Sequence, residues 1–165
     1  MALFKPDEYL SSIDKIDLDE LASSGIRCLF VDIDNTLRPR DTRVVPKPAL
    51  EWLDAAGEAG IGVMLVSNNW HASALSFAES LGLPVIHKAM KPLPFAYMIA
   101  MRRMGVGRRE SAAVGDQLLT DILGAHLCGM KAIMVEPQTS VDLKHTAVMR
   151  KIERALLGGD MKPSR

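Results

Sequence analysis

Asp32 and Asp34 stand two residues apart in the string FVDIDNTL, directly after a short apolar run. In an extended chain, side chains two residues apart share a face, so both carboxylates are expected to point the same way. One can attack phosphorus while the other protonates the departing oxygen and then deprotonates water, releasing a covalent aspartyl-phosphate. The other residues suited to such chemistry lie further along: Ser67-Asn68-Asn69, Lys91, Gly115-Asp116-Gln117 and Asp121. Carboxylates crowded together repel, and the remedies are a raised pKa or a bound cation. Oxygen-only ligands select a hard ion, with Mg²⁺ the expected choice. It would hold phosphoryl oxygens in line while Lys91 and Ser67 offset their charge. His71, His87, His126 and His145 lack zinc-ligand spacing with Cys28 or Cys128, and read as structural or exposed.

These residues are useful only if the fold gathers them. Residues 27–33 form a short run of strand formers, fit for a strand buried on both faces. Leu50, Leu53 and Ala56 predict a helix over 49–59, stopped at Gly60. A second strand follows over 61–66, a helix over 70–81 and a short strand over 84–86. The pattern continues with a helix over 95–104, a strand over 111–114, a helix over 118–128, a strand over 131–135 and a final helix over 143–157. No segment repeats or is low in complexity. This alternation predicts an α/β fold with a mostly parallel five-stranded sheet covered on both faces. In such sheets ligands sit at the carboxyl ends of the strands, near a topological switch point. Asp32, Ser67 and Asp116 each follow a predicted strand, so a parallel sheet would bring them to one edge.

Composition narrows the possibilities. The 165 residues suit one domain, and 48% hydrophobic with 24% charged excludes wholesale disorder. Lys plus Arg and Asp plus Glu both number 20, which argues against a nucleic-acid partner. Two cysteines make no disulfide framework, and no apolar run has spanning length, so a cytoplasmic setting without a transmembrane segment is expected. Charge is segregated: eight acids face three bases in residues 1–34, and Arg38, Arg40, Arg43 and Lys47 follow at once. Those bases read either as solvated surface or as a positive rim for an anionic substrate. Neither G-x-G-x-x-G nor G-x-x-x-x-G-K-[ST] occurs, which disfavours nucleotide-cofactor folds.

FVDIDNTL resembles the first motif of the haloacid-dehalogenase (HAD) superfamily of phosphatases, DxDx[TV] after a hydrophobic strand. Ser67 resembles its second motif, Lys91 its third, and Gly115-Asp116 with Asp121 its fourth. VDIDNTL, SNN, AMKP and VGDQLLTDILGAHLCGM are similar to the subfamily IIIA, YqeG-like branch, over about residues 4–137. The resemblance implies a Rossmannoid three-layer sandwich: one domain over 1–165, with its core at about 25–137. It further implies Asp32 as nucleophile and Asp34 as general acid/base. Mg²⁺ would be held by the Asp32 and Asp116 carboxylates and the Asp34 main-chain carbonyl, with Asp121 reaching it through water. Thr36, grouped with the substrate-binding residues, would brace the loop. Ser67 and Asn68 would receive phosphoryl oxygens, and Lys91 would neutralise nucleophile and phosphate. Local alternatives stay open: Asn35 and Thr36 as a turn, Ser67 as a helix N-cap, Asp121 as a local cap or pair.

Many HAD enzymes carry a cap inserted between these motifs. Here the gaps 37–66 and 68–90 are filled by predicted loop, helix and strand, leaving a capless, open site. The YqeG-like branch is similar to mitochondrial enzymes that dephosphorylate phosphatidylglycerophosphate. That implies a phospholipid substrate reached at a membrane surface, or a site shared between subunits of a homo-oligomer. The helix over 143–157, or Leu3, Phe4, Tyr9 and Leu10, would then either attach to the membrane or pack on the sheet. The competing functions are a phosphatase for a soluble nucleotide, sugar phosphate or phosphoprotein, and a non-enzymatic phospho-binding scaffold.

Overall fold

The computed structural model describes residues 2–139, 155 and 162–164; the expected helix over 143–157 lies outside the described residues apart from Ala155. Six strands form one all-parallel sheet: β1 (Glu8–Leu10), β2 (Cys28–Val31), β3 (Gly62–Val66), β4 (Val85–Ile86), β5 (Ser111–Gly115) and β6 (Lys131–Val135). Their spatial order is β1-β6-β5-β2-β3-β4. The chain builds outward from β2 to β4, then returns past β2 to build β5 and β6, so β2 marks the switch point.

Side-chain alternation divides each central strand between two cores. Leu29, Val31, Val63, Leu65, Ala112, Val114, Ile133 and Val135 face one cluster. Cys28, Phe30, Met64, Val66, Ala113, Ala132 and Met134 face the other. This period of two explains why β2 reads as an unbroken apolar run: both of its faces are covered. On the first side lie α1 (Leu18–Ser23), α2 (Lys47–Glu58) and α3 (Ser73–Ser80); on the second lie α4 (Phe95–Met104) and α5 (Leu123–Leu127). Asp17 caps α1 by accepting the Glu20 N–H at 2.9 Å. Gly105, with φ of 64°, closes α4.

Two expectations need correction. The sheet has six strands rather than five, because Glu8–Leu10 pairs in parallel with β6, Leu10 opposite Val135. Leu10 is buried, and Phe4 and Tyr9 pack against the second core, so this segment joins the sheet. The single helix expected over 118–128 begins instead as a π-helical turn, Leu118–Ile122, before α5.

Candidate active site

The carboxyl edge of the sheet gathers the polar residues. β2 and β5 lie side by side with Val31 opposite Val114, which sets Asp32 and Asp116 at neighbouring strand exits. Lys91 enters from the loop after β4, and its side chain is 2% exposed. Its ammonium donates to Asp32 Oδ1 at 2.8 Å, to the Val66 carbonyl at 2.8 Å and to Asp121 Oδ1 at 2.5 Å. Three acceptors match the three donors of the ammonium. Asp121 Oδ2 accepts the Gln117 N–H at 3.1 Å. The π-helical turn that carries Asp121 folds it back over the end of β5.

Charge is unevenly balanced on this floor. Burial pushes the Asp32 carboxyl up to about 6, against the pull of Lys91 and with the push of Asp121 and Asp34. Burial, reinforced by Asp32 and Asp121, also raises Asp116 well above the usual carboxylate range. Burial alone would pull Lys91 down, but the Asp121 and Asp32 carboxylates overcome it and keep the lysine charged. Oxygens of Asp32, Asp116 and Asp121 all lie within 4.8 Å of one another. With all three buried carboxylates ionised, the one ammonium would leave two negative charges, which a divalent cation would match; burial and this repulsion are what raise Asp32 and Asp116. The donors are all oxygen, as a hard ion requires. Both Asp121 oxygens already have partners, so Asp32 and Asp116 are the carboxylates of this cluster that could hold such an ion.

The loop after β2 is a tight return. Leu37 and Arg38 N–H groups both donate to the Ile33 carbonyl, and the Asn35 N–H donates to the Arg38 carbonyl at 2.7 Å. Asn35 takes the left-handed conformation, φ 66°, which asparagine adopts more readily than most residues. Its carboxamide oxygen accepts from the Arg40 N–H and the Thr139 hydroxyl, each at 3.1 Å. Gln138 donates to the Thr36 carbonyl at 2.6 Å, tying the segment after β6 to the same loop. Thr36 is fully buried, with its hydroxyl 3.4 Å from Asp116 Oδ1, and so stands behind the cleft rather than on its wall.

Arg38 fits neither reading of the basic loop, solvated surface or cleft rim. It is buried, its guanidinium 4.0 Å over the Phe77 ring and its Nε 3.5 Å from Asp34 Oδ1. The Nε makes no hydrogen bond, so the contact with Asp34 is an ion pair held by stacking. Arg40 and Arg43 do line the cleft, an open space of about 800 Å³ shared with Asp32, Asp34, Ser67 and Asn68.

Ser67 is buried at the end of β3, and its hydroxyl accepts the Asn69 N–H at 3.1 Å. It does not cap α3, which starts at Ser73 without a side-chain cap. The Asn68 carboxamide accepts the Lys91 N–H at 2.7 Å and donates to the Lys91 carbonyl at 3.1 Å. That side chain fixes the backbone of the lysine. Asn69, which the sequence offers only as the last member of Ser67-Asn68-Asn69 and without a role of its own, has its Nδ2 3.5 Å from Asp34 Oδ2. Gln117, the last member of Gly115-Asp116-Gln117, also lines the cleft, and so does Trp70, which the sequence marks only by its place directly after Ser67-Asn68-Asn69.

The chain belongs to the haloacid-dehalogenase superfamily of phosphatases. The HAD-hydrolase-like family model matches residues 89–150, the stretch that contributes Lys91, Asp116 and Asp121. Within the superfamily, the chain is 37% identical over 154 residues to the probable phosphatase YqeG of Bacillus subtilis (strain 168), covering 93% of this chain and 90% of that one. Solved structures agree on the fold. An uncharacterized protein from Listeria monocytogenes serotype 4b aligns with TM-score 0.57 at 18% identity, over 80% of this chain and 97% of that one. The cobalt-bound deoxy-D-mannose-octulosonate 8-phosphate phosphatase of Haemophilus influenzae aligns with TM-score 0.56 at 14% identity, over 82% and 89%.

Proposed function

We propose that this phosphatase hydrolyses a phosphomonoester through an aspartyl-phosphate on Asp32, with Mg²⁺ as cofactor and phosphatidylglycerophosphate as substrate. The observation that carries the reading is the buried contact of Lys91 with both Asp32 and Asp121, beneath an open cleft. An Asp32 carboxylate oxygen attacks phosphorus, the ester P–O bond breaks, and Asp34 gives its proton to the departing alkoxide. Asp34 then takes a proton from water as that water attacks phosphorus. The Asp32–phosphorus bond breaks, releasing inorganic phosphate and restoring the Asp32 carboxylate and the protonated Asp34. Lys91 keeps Asp32 ionised and oriented, while Ser67 and Arg40 face the arriving phosphate. Mg²⁺, held by Asp32, Asp116 and the Asp34 carbonyl, would neutralise charge on the phosphoryl oxygens.

What supports the lipid is the similarity to the YqeG-like branch together with the openness of the cleft. No described helix is long and apolar enough to cross a membrane, so a lipid would be met at the surface. The test is phosphate release, with and without Mg²⁺, from phosphatidylglycerophosphate in mixed micelles and from a panel of soluble monoesters. Preferential turnover of the lipid is expected. Turnover confined to a soluble ester would overturn the substrate, and failure to trap a beryllofluoride adduct on Asp32 would overturn the covalent step.

A further inference from the structure

Among the described residues, α4 is covered on one side only. Ala96, Tyr97 and Ala100 are buried, whereas Phe95, Met98 and Ile99 are 59%, 56% and 47% exposed. Positions 95, 98, 99 and 102 share one helical face, so this apolar stripe ends at exposed Arg102. Its upper end continues into exposed Leu93 and Met90. Trp70, 63% exposed, stands at the cleft itself, with Lys88 Nζ 5.4 Å from its ring centroid. α4 begins at the carboxyl edge of the sheet, so the apolar stripe and the cleft mouth adjoin. Single exposed apolar residues are ordinary; six large ones leading from a cleft are not.

The charge pattern says what would cover them. No acidic residue occurs between Glu79 and Glu110, and the part of that stretch running from the cleft along α4 holds Lys88, Arg102 and Arg103 besides the buried Lys91, in a chain of zero net charge. Arg40 and Arg43 add positive charge to the cleft wall. A second copy docking by this face would set cations against cations, with no acid in the stretch to answer them. A surface of anionic headgroups over apolar tails complements both features, and an exposed tryptophan suits the boundary between them.

We propose that the outer face of α4, with Met90, Leu93 and Trp70, docks on an anionic lipid bilayer and presses the cleft mouth against its headgroups. This deepens the phospholipid reading above and rests on it for its purpose, but binding is measured without turnover. Trp70 is its own probe, because the chain's other tryptophan, Trp52, is buried. Vesicles of phosphatidylcholine containing about one-third phosphatidylglycerol should shift Trp70 emission to the blue and pellet the protein, while pure phosphatidylcholine should do neither. The triple substitution Phe95→Ser, Met98→Ser, Ile99→Ser should weaken pelleting at least ~10-fold. It should leave hydrolysis of para-nitrophenyl phosphate and the unfolding midpoint unchanged. A separate Lys88→Glu, Arg102→Glu variant should weaken pelleting likewise. Equal binding by wild type and triple variant, or no binding by wild type, would overturn the proposal. So would a wild-type dimer in light scattering that the triple variant converts to monomer. Docking without turnover of phosphatidylglycerophosphate would keep the surface and remove the substrate; turnover without docking would do the reverse.

Discussion

Asp121 packs so closely over Gly115 that a β-carbon placed on Gly115 would stand far inside van der Waals contact with the Asp121 carboxyl carbon. The glycine at the end of β5 is therefore what lets a carboxylate from the following π-helical turn reach Lys91. Its φ is not positive, so the demand is for space rather than for an unusual backbone.

Gly115→Ala should accordingly displace Asp121 and free one of the three acceptors of Lys91. Overpacking of this kind costs ~1–3 kcal/mol, read as a lower denaturant midpoint. Phosphate release should fall with it, because Lys91 would swing away from Asp32. A variant with wild-type stability and turnover would show that Asp121 has another way to its place.

Lys91→Met removes the ammonium that sits among buried carboxylates. Breaking a buried pair in this way costs ~3–5 kcal/mol. At pH 7.5 the variant should unfold at markedly lower urea than wild type, and the gap should narrow near pH 5, where Asp32 takes up a proton. Mg²⁺ should partly restore the loss. An equal gap at both pH values would contradict the electrostatic origin.

The same cluster sets a pH dependence for the metal-free protein. Burial lifts the folded-state pKa of Asp32 to about 6, above its ordinary 3.8, so the folded protein binds this proton more tightly than the unfolded chain. Its contribution to stability is complete below about pH 4 and is lost as pH rises through about 6. Asp116, raised for the same reason, acts in the same direction. Adding Mg²⁺ should therefore raise the melting temperature more at pH 7.5 than at pH 5. Melting curves with and without the ion check this, and a larger rise at pH 5 would oppose it.

The site was legible in the sequence to the extent that it depends on strand ends. Apolar runs stop abruptly at Asp32, Ser67 and Asp116, and a parallel sheet leaves those residues nowhere else to go. β1 was not legible, because Glu-Tyr-Leu is too short to show a period and owes its conformation to pairing with β6. The π-helical turn was hidden because its residues fit an ordinary helical pattern; only Gly115 marks the close approach it makes. Arg38 was misjudged because a count of charges cannot tell a cation turned inward over Phe77 from its neighbours Arg40 and Arg43 at the cleft. Asn68 is expected from the sequence to receive phosphoryl oxygens, whereas its bond to the Lys91 backbone joins segments that sequence alone cannot align.

Asp34→Asn removes the proposed proton carrier and should lower turnover by ~10²–10⁴, while Mg²⁺ affinity largely survives through the main-chain carbonyl. In the proposed mechanism Arg38 would act through Asp34, by fixing that carboxylate from a stacked, buried position. Arg38→Met should thus lower kcat by ~10-fold or more with little change in KM, and Arg38→Lys should not rescue it, since an ammonium cannot reproduce the planar stack. The two effects share one route, so the double variant Arg38→Met, Asp34→Asn should be scarcely slower than Asp34→Asn alone. A double variant slowed by the full product of the two single effects would mean that Arg38 acts independently of Asp34, through the phosphate or through the fold.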